Sequence, residues 1–215
     1  MIIDIEGTDG CGKKTQTDLL FKFLIEKGYR VKKISFPNYE SNSSALVKMY
    51  LGGEFGDNPD CVNGYQASAL YAVDRFATMK NININDYDYI LFDRYVPSNM
   101  IHQSTRIKDK LELEQFLNWV EDFEYGKLCL PKPDKIIFLD VPVEISIKLA
   151  RAREELKNGE KKDIHEKDDN HLINAYEKAK FVANKFNWLV IDCSSDETIK
   201  SIDEIHKEIL TKIDF

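Results

Sequence analysis

The chain has 215 residues, of which 43% are hydrophobic and 31% charged, and a formal net charge of −7. Apolar residues this plentiful and evenly spread exclude global disorder, and the longest apolar runs, such as Ile136 to Leu139, fall far short of the roughly 20 residues a membrane-spanning helix needs. The acidic balance, with a pI near 5.2, excludes a general binder of nucleic-acid polymers or membrane surfaces, which carries a basic face.

A small phosphorylated ligand, held by a local cluster of cations, fits this composition better than a polymer does. The length suits one domain over residues 1–215, with room for an inserted lid. Cys11, Cys61, Cys129 and Cys193 form no C-x-x-C pair and are expected as reduced thiols. The opening residues, with Asp4 among them, lack the basic and small-residue pattern of a secretory leader, so the expected location is the cytoplasm.

In chain order, Ile2–Ile5 reads as a buried strand, and Lys13 to Lys27 reads as a helix. That helix carries Leu19, Leu20, Phe23 and Leu24 on one face and stops at Gly28. A strand at Val31–Ser35 precedes a helix at Asn63 to Lys80, and one at Tyr89–Phe92 precedes a helix at Leu111 to Phe123. A strand at Lys135–Leu139 leads to helices at Val143 to Leu156 and Leu172 to Phe186, and a last strand at Trp188–Ile191 leads to Ile199 to Ile213. Nearly continuous apolar runs alternating with helices predict an α/β fold: a five-stranded parallel sheet with helices on both faces. Between Glu154 and Asn170 only Leu156 and Ile164 are strongly apolar. No core can hold such a segment, so residues of about 151–170 are expected to form a short lid.

The strongest local signal is Gly7-Thr8-Asp9-Gly10-Cys11-Gly12-Lys13-Lys14-Thr15, set between the first strand and the first helix. That is the frame a G-x-x-x-x-G-K phosphate loop requires. Its glycines let backbone N–H groups converge on phosphate oxygens, the helix N-terminus adds partial positive charge, and Lys13 neutralises the outer phosphates. Such loops usually follow the lysine with a Ser or Thr that ligates Mg²⁺. Here Lys14 stands there, and Thr15 points about 100° away around the helix. Either the metal is ligated from elsewhere or Lys14 itself supplies charge near the phosphates.

Further motifs follow in series: Phe36-Pro37-Asn38-Tyr39, Leu70-Tyr71-Ala72-Val73-Asp74-Arg75, Asp93-Arg94-Tyr95-Val96-Pro97-Ser98-Asn99, Leu130-Pro131-Lys132-Pro133-Asp134, and Arg151-Ala152-Arg153 leading to Asp163-Ile164-His165-Glu166. Together with Asp9 inside the phosphate loop, they make the sequence resemble the thymidylate kinases from Ile2 to about Asp192. The resemblance implies a P-loop NTPase fold, transfer of the ATP γ-phosphoryl group to dTMP to give dTDP, Mg²⁺ with ATP as co-substrate, and a homodimer. A kinase for another deoxynucleotide or deoxynucleoside is one alternative. A nucleotide sensor without catalysis is the other.

Arg75, with Tyr71 four residues earlier on the same helix face, can present its planar fork to a pyrimidine carbonyl while the ring stacks on the base. Asn99 both donates and accepts, as a thymine edge requires. The resemblance places Phe36 and Leu51 as pocket walls, Tyr39 at the monophosphate, and Ser98, His102 and Gln103 around the nucleotide. It implies a ring at residue 102 that crowds the sugar, where the smaller histidine relaxes exclusion of ribonucleotides. Arg94 is expected at the acceptor phosphate and Asp93, at a strand's carboxyl end, at the metal. Asp9 is expected at the 3′-hydroxyl or the metal, and Glu166 near the acceptor. The loop holds no arginine, so the resemblance implies a catalytic arginine from the lid, Arg153 before Arg151.

Overall fold

The computed structural model describes residues 1–56, 61–156, 169–195 and 198–213, with backbone alone at 150, 153–156, 169 and 171. Five parallel strands, β1 (Ile2–Glu6), β2 (Val31–Ser35), β3 (Tyr89–Asp93), β4 (Lys135–Asp140) and β5 (Leu189–Asp192), form one sheet in the order β2-β3-β1-β4-β5. Each matches its expected run to within a residue or so; β1, β3 and β4, in the middle of the sheet, read as apolar blocks because both of their faces are covered.

Alternation along β1 sends Ile3 and Ile5 to one face, where they pack with Leu20 and Leu24 of α1 (Lys13–Glu26) and Ile205 and Ile209 of α8 (Ile202–Ile213). Phe92 and Phe138 face the other way, onto a second cluster. That cluster is built from α3 (Gly64–Met79), α4 (Val96–His102), α5 (Lys110–Val120) and α7 (Asp169–Lys185). The described part of α6 (Val143–Leu156) follows β4.

Local chemistry sets the element ends. The Asn63 side chain accepts from Gln66 N at 2.9 Å while Gln66 Oε1 accepts from Asn63 N at 3.0 Å, a reciprocal cap on α3. Asp109 Oδ1 caps α5 through Glu112 N at 2.9 Å. Gly28, at φ +88°, turns the chain out of α1.

Three features differ from the sequence expectation. A seven-residue helix, α2 (Ala45–Leu51), stands where no helix was expected. The helix expected at Leu111 to Phe123 ends as α-helix at Val120 and continues as a π-helical turn, Glu121–Lys127. The last helix starts at Ile202 rather than Ile199, because Thr198–Ile199 pairs antiparallel with Ser194–Ser195. All four cysteines are free thiols, as expected. No described helix is long and apolar enough to cross a membrane.

One core position breaks the apolar rule. Asp4, in the middle of β1, is fully buried, and neither carboxylate oxygen has a partner among the described residues. Burial, reinforced by nearby Glu6, pushes its pKa well above the usual carboxylate value. An acid whose pKa rises on folding contributes stability that is complete below its unfolded pKa and lost as pH climbs through the folded one. Asp4→Asn removes that loss. The variant should therefore melt higher than the wild type at pH 8, at about 2–4 °C per kcal/mol for a chain of this size, with the gap closing toward pH 4. Parallel melting curves across that range would show that Asp4 does not titrate this way.

Candidate active site

β1 is the central strand, so the loop that leaves it opens at the middle of the sheet's carboxyl edge. Gly7, Gly10 and Gly12 have φ of +152°, +82° and +90°, values that an L side chain resists. A Cβ on Gly7 would lie 2.6 Å from Cys11 Sγ and 3.1 Å from the Leu139 carbonyl. α1 starts at Lys13 with no side-chain cap, which leaves its first N–H groups for an anion. Lys13, 7% exposed, folds back over the loop. Its Nζ donates to Gly7 O at 2.9 Å, to Thr8 O at 2.7 Å and to Cys11 Sγ at 3.7 Å. Burial pushes the Cys11 thiol above its usual pKa, against the pull of Lys13, so it stays protonated. Thr8 is buried with Oγ1 3.4 Å from Ser146 Oγ of α6.

Lys14 lies outside this cradle. Its side chain is 72% exposed and pairs with Asp18, one helical turn on, at 2.8 Å; Lys33 reaches the same carboxylate. Thr15 is exposed.

The register pairs Ile5 with Asp93, which sets Arg94 beside the loop. Arg94 stands at φ +68° in the turn from β3 into α4, a conformation uncommon for a residue with a side chain and concentrated at functional sites. Its Nη2 donates to Asp9 Oδ1, and its Nη1 contacts Ser98 Oγ at 3.5 Å and His102 Nε2 at 2.8 Å. A guanidinium only donates, so His102 Nε2 is the acceptor and holds Arg94 in place. Burial opposes the charge on Arg94, but Asp9, Glu6 and Asp93 together hold its pKa above the ordinary value. Glu6 is fully buried under this turn. It accepts from Tyr95 N at 2.9 Å and from Ser98 Oγ at 2.8 and 2.9 Å. Burial raises its pKa, and Arg94 opposes the rise. The Asp93 carboxylate makes no hydrogen bond to a described residue and is partly exposed.

A third group lies between α3 and α4. Arg75 is 1% exposed. Its Nε and Nη2 donate to Glu124 at 2.7 and 2.8 Å, and its Nη1 to Tyr95 O at 3.2 Å. Asn99 Nδ2 donates to Ser68 O at 3.1 Å and to Glu124 Oε1 at 2.7 Å. Tyr71 meets Tyr50 edge-on at 6.5 Å, and Leu51 packs against the same cluster. Phe36 is buried against Phe92 and Tyr95, and Tyr39 is exposed. Gln103 is buried, and its Oε1 accepts from Arg106 at 3.3 Å.

Sequence reasoning missed Glu6, Asp74 and Glu124. Asp74 accepts from Asn38 N at 2.8 Å and from Ser43 Oγ, so it anchors the segment that carries Tyr39. Its place in the motif beside Arg75 was visible, but its partner segment was not. Arg151 is exposed on α6. The Arg153 side chain and Glu166 lie outside the described residues.

Residues 5–209 match the family model described as Thymidylate kinase. The chain belongs to the thymidylate kinase family. It is 33% identical over 171 residues to a thymidylate kinase of Mycobacterium tuberculosis, covering 78% of each chain. A probable thymidylate kinase of Methanocaldococcus jannaschii is 30% identical over 212 residues, 98% of this chain and 94% of that one. A solved thymidylate kinase of Candida albicans superposes with a TM-score of 0.71 at 22% identity, covering 99% of this chain and 90% of that one. The fold is thus the P-loop NTPase fold, with the phosphate loop and the Asp93–Arg94 turn on its carboxyl edge, while the Leu130 to Asp134 motif lies at the opposite edge, where Asp134 Oδ2 accepts from Ile2 N.

Proposed function

We propose that this thymidylate kinase family enzyme transfers the γ-phosphoryl group of ATP in line onto a phosphate oxygen of dTMP, giving dTDP. The observation that carries the reading is the Asp9–Arg94 ion pair. It ties the loop built for the donor phosphates to the strand end that would meet the acceptor. The acceptor phosphate oxygen is already ionised, so no general base is required. Positioning and charge neutralisation do the work.

In this reading the N–H groups of Gly7 to Thr15 hold the ATP phosphates, and Lys13 leaves the Gly7 and Thr8 carbonyls for them. Arg94 binds the acceptor phosphate, and an arginine of the lid segment, Arg153 or Arg151, neutralises the transferring group. Tyr71 stacks on the thymine, Arg75 and Asn99 read its edge, Phe36 and Leu51 wall it, and Tyr39, Ser98, His102 and Gln103 surround sugar and phosphate. Among the described residues no three His, Cys, Asp or Glu side chains are grouped to hold a metal. One open carboxylate such as Asp93 suits Mg²⁺, which binds through one or two carboxylates plus substrate phosphates. Asp9 and Glu166 are its further candidates, and Mg²⁺ held there supplies charge neutralisation on the phosphates.

A homodimer is supported by α3, which exposes Val73 and Phe76 at 44% and 38%; light scattering decides it. The acidic charge supports small nucleotides as partners, rather than polymers or membranes, and a cytoplasmic location.

The test is ADP formation from ATP and Mg²⁺ with dTMP, dUMP, dCMP, dGMP and dAMP offered separately. The highest kcat/KM is expected with dTMP. Preference for another acceptor would overturn the base assignment, and ATP binding without turnover on any acceptor would overturn the kinase reading.

A further inference from the structure

The apolar stripe of α5, Leu113, Phe116, Leu117 and Val120, is buried. Three helical turns beyond Leu113, the same face reaches Glu124. This carboxylate occupies a core position and is 0% exposed. It sits in the π-helical turn Glu121–Lys127, a distortion that recurs at functional sites. Three donors converge on it: Arg75 Nε at 2.7 Å on Oε2, and Arg75 Nη2 at 2.8 Å and Asn99 Nδ2 at 2.7 Å on Oε1. A carboxylate receiving two guanidinium N–H groups has no proton to give.

Asn99 is therefore oriented by chemistry. Its other Nδ2 hydrogen goes to the Ser68 carbonyl at 3.1 Å, which also only accepts. Both amide hydrogens are engaged, and rotating the amide would set its oxygen against two acceptors. Oδ1 is left over, bonded to no described residue. Arg75 has five N–H groups and uses three, on Glu124 and Tyr95 O. Glu124 thus leaves the neighbouring pair with one acceptor, on Asn99, and donors only, on Arg75. A thymine edge offers a donor at N3 and an acceptor at O4. Cytosine reverses both, with an acceptor at N3 and an amino donor at C4.

We infer that Glu124 is a positioning residue that sets base selectivity: by fixing the Asn99 amide and the Arg75 fork, it commits the site to thymine and uracil and against cytosine. The inference rests on the proposed dTMP kinase reading and concerns a residue that touches no substrate. Replacing Glu124 by glutamine keeps the shape but puts an amide NH₂ among three donors. Turning the Asn99 amide relieves its share of that clash, at the loss of its bond to the Ser68 carbonyl, and the turned amide presents NH₂ to the base.

The test compares kcat/KM for dTMP and dCMP, and KM for ATP, in the wild type, E124Q and E124D. Wild-type turnover of dTMP comes first, and its absence would defeat the kinase reading rather than this one. In E124Q the dTMP-to-dCMP ratio should fall by about tenfold or more, the discrimination of a paired hydrogen-bond contact, while KM for ATP stays within about twofold. E124D still offers only acceptors and should keep the ratio within about threefold of wild type at a lower rate. Equal losses on both acceptors in E124Q, or collapse of the ratio in E124D, would make Glu124 a purely structural residue and overturn the inference. Should E124Q not fold, wild-type NMR decides. Both Asn99 side-chain amide protons should exchange slowly and shift little when dTMP binds. Fast exchange, or a large shift showing donation to the base, would overturn it.

Discussion

Arg94→Ala should lower kcat/KM with dTMP by about 10³-fold or more, the usual weight of an arginine that meets phosphoryl charge. The same change should cost stability in a pH-dependent way. Arg94 faces Asp9 across an ion pair with side chains 22% and 48% exposed, and it opposes the upward pKa shift that burial imposes on Glu6. Without Arg94, Glu6 keeps the Tyr95 N–H, the Ser98 hydroxyl and the charge of Lys13, and its folded-state pKa rises further. A raised acid pKa lowers stability as pH climbs. The loss should be about 1–3 kcal/mol, below the figure for a fully buried pair because water reaches this one, and larger at pH 8 than at pH 5.5. Arg94→Lys keeps the charge without the fork that joins Asp9 to His102, so it should recover stability better than rate. Steady-state kinetics and melting at the two pH values check both halves. Activity within about tenfold of wild type in Arg94→Ala would remove Arg94 from the phosphoryl-transfer site.

The parts of this fold that were legible in the sequence are those with a local cause. Val31–Ser35 is strand in both readings, and the apolar runs of β1, β3 and β4 are legible because the middle of the sheet is covered on both faces, whereas the edge strands β2 and β5 keep exposed positions such as Ser35 and Val190. The phosphate loop was legible because its glycines, lysine and following helix are contiguous. The bounds of α4 had no such local cause. Val96, Pro97, Ser98, Asn99, Met100 and Ile101 are all buried, so the helix shows no polar face and no period to mark where it starts. Glu124 escaped for a different reason. Its partners Arg75 and Asn99 are 49 and 25 residues away, and only the fold brings them together. A charge at the next turn of the α5 apolar stripe was the one local sign. The ion pair that carries Lys14 away from the loop was locally available, since Asp18 lies four residues on. Attention to the phosphate pattern alone hides it.

Lys13→Ala should separate activity from stability more sharply than Arg94→Ala. Lys13 has no carboxylate partner in its hydrogen bonds; it holds the loop carbonyls of Gly7 and Thr8 at 2.9 and 2.7 Å. Removing it forfeits two carbonyl-acceptor bonds, each worth about 1 kcal/mol net, and a weaker one to Cys11 Sγ, and also removes the desolvation cost of a nearly buried ammonium. The two effects oppose each other, so the melting temperature should move by only a few degrees, roughly the effect of 1 kcal/mol in a chain of this length. The transition state has no such compensation. Without Lys13 the γ-phosphoryl charge loses a preorganised cation, and kcat should fall by about 10²–10³-fold. Binding should report the same loss: a non-hydrolysable ATP analogue well above its Kd stabilises the wild type in proportion to the logarithm of its concentration relative to Kd, and Lys13→Ala should lose most of that upward melting shift. Arg in place of Lys13 should not restore the rate, because the loop accommodates a point charge close to two carbonyls rather than a planar fork. A variant that melts far below wild type, or one that keeps the full nucleotide-induced shift, would show that Lys13 serves the loop's own folding and not the phosphates.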